Sequence, residues 1–365
     1  MKKILFVANV GKEHILKFHL PTIKQFKEEG WNVDVICSGN DFIPICDHWF
    51  KAKWSRNPFS FSIFRGLRQI KKIIDANKYD VVYCHTPVGG FVGRLAAKKR
   101  RKTGTKVVYF SHGYHFYKKA PILNWLLYYP VEKHLSKYTD AFFVINDEDA
   151  LITQKRFKKP LFLLNGIGVD FSKFQIIDKA KKREEYRQEF GIKDTDYVMI
   201  YVAELIKNKN QSLLIKSLKL LTEKDSSFKL VLVGPDHYKG KYQKLASKMR
   251  LSNNVIFTGW RKDVPELLNM SDLCVASSTR EGFGLNLIEA AYVGLPIVAT
   301  DNRGHRCVAK SIPVLLAKNN CNDFSSSILK ISSSREQSIP NKNVLIEKFD
   351  SKEIAKRIVR IIDSL

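Results

Sequence analysis

The strongest constraint on this chain is a rhythm of hydrophobicity that runs, breaks and starts again. Short apolar runs alternate with longer amphipathic stretches. Lys3–Asn9, Asn32–Ser38, Asp80–His85, Lys106–Ser111, Ala141–Asn146 and Pro160–Leu164 read as strands, and Leu20–Glu29, Ile63–Ala76 and Gly90–Arg101 between them read as helices. Strands that are apolar on both faces must be covered on both faces. That means a parallel sheet between layers of helix. The rhythm stops at Asn165–Phe174 (NGIGVDFSKF), which has two glycines and no period, and a charged run follows at Lys179–Glu189. It resumes with strands at Tyr197–Ala203, Lys229–Gly234, Asn254–Thr258, Asp272–Ala276 and Pro296–Thr300.

Two consecutive runs of this kind predict an α/β protein of two Rossmann-like, doubly wound domains. The expected bounds are 1–168 and 169–345, with a hinge near 165–175. The 365 residues are too many for one ordinary core and suit two. The last stretch, 346–365, holds an amphipathic helix with Ile354, Ile358 and Ile361–Ile362 on one face, able to cross back to the first domain. Ligands of open α/β sheets bind outside the carboxyl ends of the strands, so a cleft between two such sheets is the expected site.

Charge narrows the partners. The net charge is +26, and residues 1–170 carry 29 Lys/Arg against 14 Asp/Glu. The densest run is Lys98–Lys102, KKRRK. Such a surface favours phosphate-rich partners: a diphosphate, an anionic lipid or a nucleic acid. Lys-rich solvated helices account for part of the excess. The six cysteines (Cys37, Cys46, Cys84, Cys274, Cys307, Cys321) form no CxxC pair and read as reduced residues of a cytosolic protein. The opening MKKILFVANVG is a strand rather than a leader, because Lys12, Glu13 and His14 follow its short apolar run at once. No apolar run approaches the roughly 20 residues of a membrane span.

One string carries the chemistry. Arg280–Asp301 reads REGFGLNLIEAAYVGLPIVATD. A strand ends near Ser277, Glu281 stands on the loop, and Gly282–Gly284 lead into a helix that runs through Tyr292. Gly294 is its stop, and Pro296 opens the next strand. Glycines at a helix start let a ligand approach the backbone, and the unpaired amides and positive dipole end favour its negative charge. The first-turn residues Gly284, Leu285 and Asn286 therefore suit a diphosphate. Glu289, eight residues after Glu281, can accept hydrogen bonds from the two ribose hydroxyls, and Glu281 can accept them from the transferred sugar. A strand-to-helix turn with two solvated glutamates is the plainer alternative.

This string resembles the E-x7-E region of the family-4 retaining glycosyltransferases, which have the GT-B fold. The resemblance covers roughly residues 3–305. Val255–Asp272 (VIFTGWRKDVPELLNMSD) resembles the segment in which backbone around Arg261 holds the base, and Asn165–Asp170 (NGIGVD) resembles the interdomain turn. His85–Arg101 (HTPVGGFVGRLAAKKRR), Ser111–Lys118 (SHGYHFYK), Asn124–Glu132 (NWLLYYPVE), Ile145–Asp149 (INDED) and Asp301–Arg306 (DNRGHR) are similar to the capsule and exopolysaccharide branch. The resemblance implies a UDP-sugar donor, a lipid-linked saccharide acceptor and transfer that needs no metal. It implies His112 at the donor sugar's reacting side, Gly11 near the diphosphate and Lys209 as the phosphate lysine. Two segments depart from the family. Ala203-Glu204-Leu205 stands where it usually has Gly-Arg-Leu, and an acidic residue cannot act as a phosphate fork. After Arg306, SIPVLLAKNN replaces its glycine-containing loop.

Other features invite other readings. His14, His19 and His115 are weaker candidates for substrate contact. Asp147-Glu148-Asp149 mimics a DxD metal motif, but it follows Asn146, a good N-cap, where acidic first-turn residues are expected. Phe116–Leu135 (FYKKAPILNWLLYYPVEKHL) is rich in aromatics and leucines with lysines at its edges, and as a helix it could rest on an anionic membrane surface from the cytoplasmic side. A GT-B epimerase or hydrolase is the rival enzyme. A basic nucleic-acid-binding protein is the rival of another class, although no RNP, zinc or helix-turn-helix pattern supports it.

Overall fold

The computed structural model describes residues 1–39, 42–55, 60–334 and 340–365. The chain divides into two compact units. One is Met1–Gly168 together with Phe349–Leu365, and the other is Val169–Lys348.

The first unit is a sheet of seven parallel strands in the order β3-β2-β1-β4-β5-β6-β7. They are β1 (Lys3–Val10), β2 (Asn32–Ser38), β3 (His48–Lys51), β4 (Val81–His85), β5 (Lys106–Phe110), β6 (Ala141–Val144) and β7 (Leu161–Leu163). The central strands are buried along their length, which is why they read as unbroken apolar runs. The order reverses at β1, flanked by β2 and β4. This is the switch point at which α/β sheets take their ligands. The strand β3 lies at the sheet edge and is half exposed (HWFK), so its sequence shows no apolar run.

The second unit is a sheet of six parallel strands in the order β10-β9-β8-β11-β12-β13. These are β8 (Tyr197–Val202), β9 (Phe228–Val233), β10 (Val255–Gly259), β11 (Leu273–Ala276), β12 (Ile297–Thr300) and β13 (Leu315–Ala317). The edge strand β13 is three residues long and pairs with β12. Its sequence lies inside SIPVLLAKNN, the segment that departs from the family pattern.

The amphipathic helix expected in the last stretch forms as Ser351–Asp363, and a shorter helix precedes it. Lys342–Phe349 belongs to the second unit up to Lys348, and Ser351–Asp363 packs on Leu20–Glu28 of the first. Its Ile354, Ile358 and Ile362 are buried, whereas Ile361 lies only half-buried at the edge of that face. The run KKRRK is the last turn of the helix Pro87–Arg101, with Lys102 just beyond it. Two of its five charges are internally paired, Arg100 with Asp75 (2.7 Å) and Arg101 with Asp140 (2.7 Å).

Candidate active site

The string singled out in the second unit forms a strand, a loop and a helix. β11 ends at Ala276, the loop carries Glu281, and the helix runs Leu285–Val293 behind Gly284. Gly284 has φ 121°, which a side chain would strain, so glycine lets the loop turn directly into the helix. The backbone N–H groups of Leu285 and Asn286 belong to the first turn, which has no acceptors of its own within the helix.

Glu281 is held from several directions. Lys209 Nζ lies 2.5 Å from its Oε1, and the Ser278 hydroxyl donates to the same oxygen at 2.5 Å. Ser278 Oγ is in turn 2.7 Å from the Tyr201 hydroxyl. The turn that carries Lys209 (Lys207–Lys209) is stitched to the Glu281 loop: Thr279 N–H donates to Asn208 O, Asn208 Nδ2 donates to Arg280 O, and Ser277 Oγ donates to Lys209 O. Burial alone would push the Glu281 carboxyl up, but the Lys209 ammonium and the bonds from Lys209 and Ser278 outweigh it and hold the carboxyl below its ordinary value.

Behind this group stands the helix Arg303–Ala309. A Cβ on Gly304 would come within 2.7 Å of Glu281 Cβ, so glycine is what allows the two segments to touch. The neighbouring His305 is buried, with Nδ1 donating to Thr300 O at 2.8 Å and Nε2 without a partner among the described residues. Glu289 is half-buried on the Leu285–Val293 helix.

Arg261 is engaged elsewhere. Its guanidinium meets Asp263 at 2.5 Å and Glu189 at 3.3 Å, and the Asp263 bond raises its pKa. Two carboxylates thus engage its Nε and Nη2. Glu204, where the family usually has Arg, is exposed and lies 3.6 Å from His237 Nε2.

In the first unit, Gly11 follows β1 and opens a π-helix, Gly11–His19. His112 follows β5, one residue beyond Ser111, and stacks on Phe110 with ring centroids 4.4 Å apart. It is one of four imidazoles that meet there. The others are His14 and His19 from the π-helix and His85 from the end of β4. Burial holds the His14 imidazole down at about 4, and burial followed by the neighbouring imidazoles keeps the other three well below the usual range. His115 lies apart, stacked on Tyr128. Asp149 is buried as a structural group: it accepts from Tyr114 N at 2.9 Å, and its own N–H donates to the Asn146 cap.

Sequence reasoning singled out Glu281, Glu289, Lys209 and the glycine turn. It missed Ser278, His305 and the convergence of the four histidines. The signal for the last was the spacing of His14 and His19, five residues apart. On a 3.6-residue helix that spacing separates two side chains, but in a π-helix it brings them together.

Residues 3–146 match the family model described as glycosyl transferase 4-like, and residues 182–348 match the one described as glycosyl transferases group 1. The chain is 45% identical over 308 residues to the Bacillus subtilis (strain 168) protein named glycosyltransferase EpsD, covering 84% of this chain and 80% of that one. It is 27% identical to the Escherichia coli UDP-Gal:alpha-D-GlcNAc-diphosphoundecaprenol alpha-1,3-galactosyltransferase, covering 98% and 93%. Among solved structures, Anabaena Alr3699/HepE in complex with UDP and glucose superposes over all of both chains with a TM-score of 0.79 at 19% identity. The protein belongs to the group 1, family-4-like glycosyltransferases and has their GT-B fold of two Rossmann-like domains.

Proposed function

We propose that this glycosyltransferase moves a hexose or N-acetylhexosamine from a UDP-sugar to a lipid-linked saccharide, with retention at the anomeric carbon, in capsule or exopolysaccharide synthesis. The observation that carries the reading is the Lys209–Glu281–Ser278 assembly beside the start of the Leu285–Val293 helix. It sets a cation, an acceptor carboxylate and the first-turn amides of a helix beyond the carboxyl ends of β8 and β11. A sugar diphosphate needs that combination.

In this reading the diphosphate lies on the amides of Gly284–Asn286 and is neutralised by Lys209 rather than by a metal. Glu289 holds the ribose, backbone around Arg261 holds the base, and Glu281 takes the sugar hydroxyls that Lys209 and Ser278 leave it. Within the first unit, Gly11 and His112 stand just past the carboxyl ends of β1 and β5, the positions from which a parallel sheet presents ligand contacts. The acceptor oxygen bonds to the anomeric carbon on the face from which the leaving phosphate departs, the bond from that carbon to the phosphate oxygen breaks, and the departing phosphate takes the acceptor's proton. Catalysis is then positioning and stabilisation of the leaving group.

Relatives named for diphosphoundecaprenol-linked acceptors support the acceptor class. A place on the cytoplasmic face of an anionic membrane is supported by the helix Ile122–Ser136. It exposes Ile122, Leu123, Leu126, Leu127 and Val131, with Lys118, Lys119, Lys133 and Lys137 around it. No helix among the described residues is long and apolar enough to cross a membrane.

The experiment is a donor panel of UDP- and GDP-sugars with a diphosphoundecaprenol-linked sugar as acceptor. Glu281→Ala and Glu289→Ala should each lower kcat/KM by about 100-fold or more, the loss expected when one positioning group is removed. Transfer at the wild-type rate by both variants would sink the reading. Epimer or free sugar formed without acceptor would favour a GT-B epimerase or hydrolase instead.

A further inference from the structure

We propose that His14, His19, His85 and His112 form a transition-metal site, with Zn(II) the ion they suit best. One ring nitrogen from each comes within 4.8 Å of the other three. The six distances between ring centroids are 4.7, 5.6 and 4.6 Å from His14 to His19, His85 and His112, then 4.1 Å (His19–His85), 5.4 Å (His19–His112) and 6.0 Å (His85–His112). Four imidazoles bound tetrahedrally to zinc at about 2.05 Å put their nitrogens about 3.3 Å apart and their centroids about 5 Å apart. The cluster already has that size. His14 Nε2 and His19 Nε2 are 3.2 Å apart.

The chain is shaped to hold these rings. The π-helix stacks His14 and His19 at the i, i+5 spacing. Thr86, next to His85, has φ 64°. A β-branched residue is strained there, and such strain concentrates at functional sites. Buried polar atoms are almost always partnered, yet both nitrogens of His85 and Nε2 of His112 have no partner among the described residues. Among the described residues, no carboxylate hydrogen-bonds any of the four. Buried imidazoles crowded together without acceptors are poor packing and a good ligand set. An all-nitrogen set does not suit magnesium or calcium, and its tetrahedral form favours zinc.

Four protein ligands close the shell, as in structural zinc sites. The ion would therefore brace the first unit rather than neutralise the donor diphosphate. It would tie the Gly11–His19 segment to the ends of β4 and β5, at the ligand edge of the sheet. His112 keeps a second nitrogen for a hydrogen bond outward, as metal-bound histidines do.

The test uses the untagged 365-residue chain, stripped by chelator and titrated with Zn(II) and separately with Co(II). The expected results are uptake near one ion per chain, the visible bands of tetrahedral nitrogen-bound Co(II), and a higher Tm. His14→Gln, at the rim of the cluster, and His19→Ala should each weaken binding at least tenfold, with folding checked by circular dichroism. Zinc uptake by Glu281→Ala and Glu289→Ala should match the wild type, which separates this outcome from the proposed transfer reaction, because both residues lie in the other unit. A wild-type chain that takes up neither ion overturns the proposal. So does a folded His14→Gln that binds zinc as the wild type does.

Discussion

Glu281 stays ionised against its burial because Lys209 stands 2.5 Å away. The consequence for pH has a definite sign. A carboxyl whose folded pKa lies below its ordinary value of about 4.3 contributes stability that is fully present above that value. The contribution is lost as the pH falls through the folded pKa. Glu281→Gln removes it, so the stabilities of variant and wild type should converge on acidification; urea midpoints at several pH values check this. Lys209→Met acts differently, because it leaves a buried carboxylate without its counter-charge. Loss of one partner of a buried pair costs about 3–5 kcal/mol, and the partial exposure of both side chains puts this pair at the lower end. The double variant Lys209→Met/Glu281→Gln should recover most of that loss. At this scale the sequence was readable where residue type and local spacing coincide, as in the glycine turn with its two glutamates. Ser278 and His305 were unreadable because each acquires its role only when a second loop is folded against it. Arg261 shows the converse: its partner Asp263 stood two residues away in plain view.

At the scale of the elements, the helix Ile122–Ser136 turns large apolar side chains to solvent. Ile122 is 75% and Leu126 65% exposed, while Trp125, Tyr128 and Tyr129 pack into the core on its other side. Because Leu123 and Leu126 are exposed, Leu123→Ser/Leu126→Ser should change folding stability by no more than about 0.5 kcal/mol per site. Full burial of each leucine in an apolar layer is worth about 1.5–3 kcal/mol. Sedimentation with anionic vesicles should therefore show at least a tenfold loss of binding. Equal binding by wild type and variant would remove this helix from any membrane role. The apolar character of this stretch was legible as aromatics and leucines fringed by lysine. The edge strand β3 was not, since a strand exposed on one side needs no apolar run, and β13 is only three residues, too short to stand out within Ile312–Ala317. The KKRRK run read as one basic patch, but the fold uses two of its charges to pin its helix to Asp75 and Asp140.

At the scale of the whole molecule, the chain's end completes its beginning. The helix Ser351–Asp363 is capped by Asp350, whose carboxylate accepts from Lys352 N–H at 2.8 Å. It buries Ile354, Ala355, Ile358, Val359 and Ile362 in the first unit. The apolar stripe was visible in the sequence, but a stripe does not say which surface receives it. Burial of each large aliphatic side chain is worth about 1.5–3 kcal/mol, and a whole domain is stable by only about 5–15 kcal/mol. The exposed pair Lys2–Asp363, at 2.8 Å, adds little to this. A chain ending at Lys348 should therefore lose most of the first unit's stability and leave the second unit's intact. Calorimetry should show one transition lowered or lost and the other unmoved, and limited proteolysis should release a resistant fragment spanning residues 169–348. If both transitions kept their midpoints, the first unit would be stable without its last helix, and the energetic reading of that face would be wrong.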